Sequence, residues 1–217
     1  MVKATSAAFA VLSALSLANA AEYTVRVRNL TYLQPFSPVL VVAHTRDVAL
    51  FKEGFAANDA IKLMAEDGDN SALLALAASP EVAPYICGAA VGDAPLFPGE
   101  TWRGTMEVDT DICGEDAVFS TVSMLINTND AFMGIDSEDL YSGSKSFPPA
   151  FDAGTETNNE LCSHMPGPAC EATSGNAQDA PGEGFIHVHR GIHGEADITT
   201  RAYDWRNPVA EVFVFGP

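Results

Sequence analysis

The sequence predicts an all-β fold, an antiparallel β-sandwich with one or two short helices in a connection. Two observations carry this. Segments with strand character outnumber helical ones, and they come in runs without the regular β-α alternation of a parallel sheet. The helical segments are confined to one stretch between residues 58 and 78. The chain of 217 residues is long enough for one well-buried domain and short for two.

The elements follow in order. Tyr23 to Asn29 alternates, with Tyr23, Val25 and Val27 on one face and Thr24, Arg26 and Arg28 on the other, the pattern of a half-buried strand. Pro38 to His44 is apolar on both faces and reads as a central strand. Asn58 to Ala65 reads as a helix with Asn58 as its N-cap, and Asp67 to Asp69 breaks it. Ser71 to Ala78 is a second helix, stopped by Pro80. Gly92 to Gly99 is a loop, and Thr101 to Val108 and Ala117 to Ile126 are strands. From Ser137 to Gly182 the chain is rich in Gly, Ser, Pro, Asn and Asp and reads as long ordered loops. Phe185 to His189 and Val209 to Phe215 are the last strands.

Residues 1–20 read as an export leader. Lys3 supplies the charged start, Ala7 to Leu17 the apolar run, and Ala18-Asn19-Ala20 the small-x-small cleavage pattern. Cleavage after Ala20 leaves a domain of residues 21–217, secreted or periplasmic, with no membrane span. The four cysteines, Cys87, Cys113, Cys162 and Cys170, are an even number in an exported chain and imply two disulfides. Three pairings are possible; proximity in sequence favours Cys87–Cys113 and Cys162–Cys170. Zinc is the competing reading of these thiols, though no C-x-x-C pair is present.

With 29 acidic against 11 basic residues, the chain is repelled by nucleic acid and anionic lipid and suits cations. An acidic surface also simply keeps an exported protein soluble. Three acidic stretches are candidate ligand sets for a hard cation: Asn127 to Asp130, Asp152 to Glu156, and Asp109 to Asp111 with Glu115 and Asp116. Carboxylates on loops at sheet ends supply the several oxygens that Ca²⁺ requires. Gly154 lets the second stretch turn so that its two carboxylates face one point. Any one of them also reads as a solvated loop.

His187 and His189, two apart on a strand, share a face and suit Cu or Zn, with His193 or His44 as a third ligand. The competing reading buries both rings as hydrogen-bonding structural groups. No nucleophile elbow, zincin helix or phosphate loop is present. A hydrolase with two converging carboxylates is a further alternative that no residue pair singles out. The residues therefore favour a binding module over an enzyme.

Several motifs recur in order in the spondin N-terminal domain: Asn29-Leu-Thr-Tyr32, Phe36-Ser-Pro38, Ala43-His-Thr45, Ala65-Glu-Asp-Gly68, Thr128-Asn-Asp-Ala-Phe132, Phe151-Asp-Ala-Gly-Thr-Glu156, Gly184-Phe-Ile-His-Val-His189 and Tyr203-Asp-Trp-Arg-Asn-Pro-Val209. The chain resembles that family, its bacterial-type members most, over nearly all of residues 21–217. The resemblance implies a C2-like β-sandwich that binds Ca²⁺ through three acids, which carry over to Asp130, Asp152 and Glu156. Here the third acid is Glu rather than Asp, and Ala131 stands where the animal domains have Trp. The implied role is a secreted calcium-binding, adhesion-type module whose partner is an extracellular protein or glycan. The adhesion partners of the animal members do not transfer, since no residue here matches their recognition.

Overall fold

The computed structural model describes residues 19–170 and 181–217. The predicted leader lies outside the described residues as far as position 18, and so do residues 171–180 of the predicted loop stretch. Two antiparallel sheets face each other. In chain order the strands are β1 (Ala20–Asn29), β2 (Leu40–His44), β3 (Ile86–Val91), β4 (Thr101–Asp109), β5 (Val118–Met124), β6 (Ala131–Asp139), β7 (Lys145–Ser146), β8 (Ala150–Asp152), β9 (His187–Val188) and β10 (Ala210–Phe215). One sheet has the order β4-β1-β10-β7, the other β3-β2-β5-β6-β8-β9. The predicted all-β sandwich is the observed architecture.

The six-stranded sheet is covered on both faces, which explains the unbroken apolar run of β2. Val41 and Ala43 point into the core between the sheets, with Val25, Val27, Phe119, Met133 and Val212. Leu40 and Val42 point the other way, into a second core under helices α1 (Asp59–Asp67) and α2 (Ser71–Ala77). There Phe132 stands edge-on to Phe51, ring centroids 5.1 Å apart, with Phe151 at 5.7 Å. The buried hydroxyls of β5 are satisfied: Thr121 Oγ1 donates to Leu40 O at 2.8 Å and Ser123 Oγ to Ser37 O at 2.7 Å.

α1 starts where the sequence places it. Asn58 Oδ1 accepts from Ile61 N at 2.8 Å, and the helix ends on Gly68 in the left-handed conformation, φ +67°. Asn58→Ala is expected to cost about 1 kcal/mol of stability, measurable as a lower midpoint in urea at an unchanged slope. An unchanged midpoint would show that the cap contributes nothing.

Five strands, β3, β6, β7, β8 and β9, differ from the sequence reading. β3 has only small residues between its two β-branched ends, Ile86 and Val91, so no alternating pattern marks it. β6 runs into the stretch read as loop. Its first five residues are buried and its last four are not, and its register with β5 shifts between Phe119 and Thr121. No single period of two survives that break. β8 is only three residues long, and the predicted strand at 185–189 shortens to β9. The stretch at Asp109 is an N-cap and a short helix, α3 (Thr110–Cys113), since Asp109 Oδ1 accepts from Asp111 N at 2.9 Å.

Both disulfides join the pairs that proximity favours, Cys87–Cys113 and Cys162–Cys170. The first stitches β3 to α3, the short helix that directly follows β4; β3 and β4 are the edges at which the two sheets meet. Gly88 lies so close there that a Cβ would sit 2.6 Å from Glu107 O. At the opposite ends of the sheets stand the two-residue strands β7 and β9. Asn29, the acceptor of an Asn-Leu-Thr glycosylation sequon, is fully buried. Its amide donates to Gln34 O at 2.8 Å and Leu96 O at 3.1 Å, so the folded domain offers it to no glycosyl group.

Candidate functional site

The β5–β6 connection is a buried polar turn. Asn127 Nδ2 donates to Leu33 O at 2.9 Å and its Oδ1 accepts from Ala169 N at 2.9 Å. Thr128 Oγ1 donates to Leu125 O at 2.6 Å and accepts from Ala131 N at 3.1 Å. Asn129 Oδ1 accepts from Glu160 N at 3.2 Å. This local wiring delivers Asp130, fully buried, to the start of β6.

β8 brings the second acid alongside, since Ala131 pairs with Asp152. Beyond Asp152 the chain turns back. Asp152 Oδ1 accepts from Gly154 N at 2.7 Å, a side-chain-closed turn. The amides of Thr155 and Glu156 then reach Asp130 Oδ2 at 2.7 and 3.0 Å. Gly154 is required twice over. Its φ is +68°, and a Cβ would come within 2.7 Å of Phe185 N and closer still to the carbonyl oxygen of Phe185. Among the described residues, the buried Asp130 Oδ1 has no hydrogen-bond partner.

The carboxyls repel one another in sequence. Burial, then the charge of Asp152, pushes the Asp130 carboxyl from 3.8 up to about 7, against the lowering effect of the Thr155 and Glu156 donors. Burial pushes Asp152 up, opposed by Asn158 and Gly154 and reinforced by Glu183. Burial, Glu66 and Asp130 push Glu156 up to about 7, opposed by Asn129 and Lys62. The three expected ligands are thus neighbours in pairs, Asp152 with Asp130 and Asp130 with Glu156. Electrostatically they form a row, in which Glu66 of α1 adds its charge at Glu156 and Glu183 adds its charge at Asp152.

The histidines divide. His187 is the cross-strand partner of Asp152, and both His187 Nε2 and His189 Nε2 lie 3.9 Å from Asp152 Oδ2. Burial pushes the His189 imidazole down to about 3, helped by His187 and His193, so it is neutral. Its Nδ1 accepts from Gly191 N at 2.9 Å, so its proton sits on Nε2, facing Asn158 Oδ1 at 3.1 Å. Asn158 Nδ2 in turn donates to Asp152 Oδ2 at 2.5 Å. His193 lines the same cleft of about 340 Å³. His44 is not brought there. It stands on β2, separated from β9 by β5, β6 and β8, with Nε2 2.8 Å from Ser120 Oγ and Nδ1 2.7 Å from Thr45 O.

The sequence model of the family Spondin_N matches residues 26–158. The chain belongs to the spondin N-terminal family. The match runs from β1 through Asn158 and takes in Asp130, Asp152 and Glu156. Spondin N-terminal domains are extracellular modules of a non-catalytic type, and the two disulfides of this spondin domain suit that setting. Among its described residues no helix is long and apolar enough to cross a membrane. No curated protein matches the chain.

Three residues of this spondin site were not singled out by sequence: Glu66, Asn158 and Glu183. Glu66 lies inside the Ala65-Glu-Asp-Gly68 motif, which offered a signal. Asn158 and Glu183 meet Asp152 only through the fold.

Proposed function

We propose that this spondin domain is a secreted calcium-binding module that uses the ion to hold its loop end together and presents that end to an extracellular protein or glycan. The observation that carries the reading is Asp130 Oδ1, a buried carboxylate oxygen with no hydrogen-bond partner among the described residues, at the centre of a row of mutually repelling carboxyls. Buried anions are retained where a cation or donor compensates them. An all-oxygen donor set of Asp130, Asp152 and Glu156 fits a hard divalent ion, and glutamate ligates Ca²⁺ readily in a bidentate mode. The ion would neutralise the repulsion along the row and draw the outer acids toward Asp130.

An ion that binds only the folded state raises stability by mass action, about 2.7 kcal/mol at a hundredfold excess over Kd. In a domain of this size that is roughly 5–10 °C. The melting temperature of EDTA-treated protein is expected to rise by this amount on adding Ca²⁺, and Asp152→Asn is expected to lose most of the rise. No shift in the wild type, or an equal shift in the variant, would overturn the reading.

A further inference from the structure

Among the described residues, one trio gathers metal-ligand atoms closely: a carboxylate oxygen of Asp152, one of Glu183 and a ring nitrogen of His187 all lie within 4.8 Å of one another. We infer that these three form a second metal site, for a divalent transition metal of the Zn²⁺ class, distinct from the all-oxygen row. The two readings share only Asp152, and neither depends on the other.

Imidazole among the ligands decides the class. Ca²⁺ takes oxygen, whereas Zn²⁺ and its neighbours combine imidazole with carboxylate. Tetrahedral Zn²⁺ with bonds of about 2.1 Å holds its ligands roughly 3.4 Å apart, so the trio needs only a small contraction. Glu183, the exposed member, is placed to make it.

An independent observation is the orientation of His187. Its Nδ1 lies 3.3 Å from Phe185 O. A carbonyl oxygen only accepts, so Nδ1 carries a proton and Nε2 is the ring nitrogen left turned toward Asp152 Oδ2, 3.9 Å away. A ligating histidine is commonly fixed in this way, with its other ring nitrogen donating to a backbone carbonyl. The β8–β9 register opposes Asp152 and His187, so the backbone sets the separation of these two ligands.

The same geometry shows why His189 is a support and not a ligand. Both its ring nitrogens are engaged, with Gly191 N and Asn158 Oδ1. Asn158 passes the restraint to Asp152 Oδ2, so His189 holds the ligand carboxylate from behind. The three ligands open onto the cleft of about 340 Å³, which leaves the fourth position of a tetrahedral ion to water or to a donor from outside.

Calorimetric titration of the purified domain with Zn²⁺ alone, first without Ca²⁺ and then in millimolar Ca²⁺, tests the site. One equivalent of Zn²⁺ is expected to bind in both conditions. His187→Ala and Glu183→Ala are each expected to weaken it at least tenfold, with His44→Ala unchanged. Neither Glu183 nor His187 belongs to the calcium set, so their variants should keep the folded circular-dichroism spectrum. A Ca²⁺ response in their melting reports separately on the calcium reading. No Zn²⁺ binding in the wild type, full affinity in His187→Ala, or displacement of Zn²⁺ by millimolar Ca²⁺ would each overturn the second site.

Discussion

Replacing Asp130 with asparagine is expected to stabilise the ion-free protein by roughly 2–4 kcal/mol at pH 8 and to blunt its response to Ca²⁺. Asparagine keeps the shape. Its carbonyl oxygen can take the place of Asp130 Oδ2 and accept from the amides of Thr155 and Glu156. Its NH₂ then stands where the unpartnered Oδ1 stood, facing acids instead of repelling them. The sign follows from linkage. The folded state holds Asp130 near 7 against an ordinary 3.8, so it binds the proton more tightly than the unfolded chain does. Stability from this group is fully present below about pH 4 and is lost as pH rises through about 7. The advantage of the variant should therefore be absent near pH 4, grow with pH, and level off above 7.

His189 and His44, whose imidazoles burial pushes down, act in the opposite direction below their ordinary 6.5. They are common to both proteins and cancel in the difference. Urea denaturation in EDTA at several pH values measures it. A variant no more stable than the wild type at pH 8 would show that Asp130 carries no ionisation penalty.

Gly154→Ala is expected to destabilise the domain by about 3 kcal/mol or more, and the comparison with Gly143→Ala shows why. Both glycines have positive φ, +68° and +90°, but a Cβ on Gly143 meets nothing within 4 Å, whereas one on Gly154 runs into the Phe185 backbone. Gly143→Ala thus reports the left-handed backbone alone, about 1–2 kcal/mol. The excess at Gly154 is overpacking against a neighbouring chain that cannot rotate away. Because the turn at Gly154 carries the Thr155 and Glu156 amides to Asp130, the variant should also lose the Ca²⁺ response. Equal losses in the two variants would show that the turn yields to the added carbon.

The sequence made legible what local physics decides. The alternation of β1, the two-sided apolarity of β2 and the Asn58 cap each announce a structure within a few residues, and the cysteines pair with their nearest neighbours in sequence. β6 was hidden because its burial changes half-way and a register shift interrupts its period. Asp130 and Asp152 were readable as candidates because each lies in an acidic turn motif. The row they form with Glu66 and Glu183 was not, because helix α1 and the segment before β9 bring those acids from distant parts of the chain. The three-way division of the histidines was equally invisible. Spacing placed His187 and His189 on one face, but only the Asn158 and Gly191 contacts distinguish the ring that is locked at both nitrogens from the ring whose Nε2 turns toward the cleft.

The short strands β7 and β9, and the seam at which β3 and β4 meet beneath the Cys87–Cys113 bridge, bear on how molecules of this protein treat each other. An open sheet rim is a template on which a second chain can add a strand. Here two rims are only two residues long and the other two face one another across a covalent stitch. With a net charge of −18 to keep copies apart, the domain offers little purchase for fibril growth.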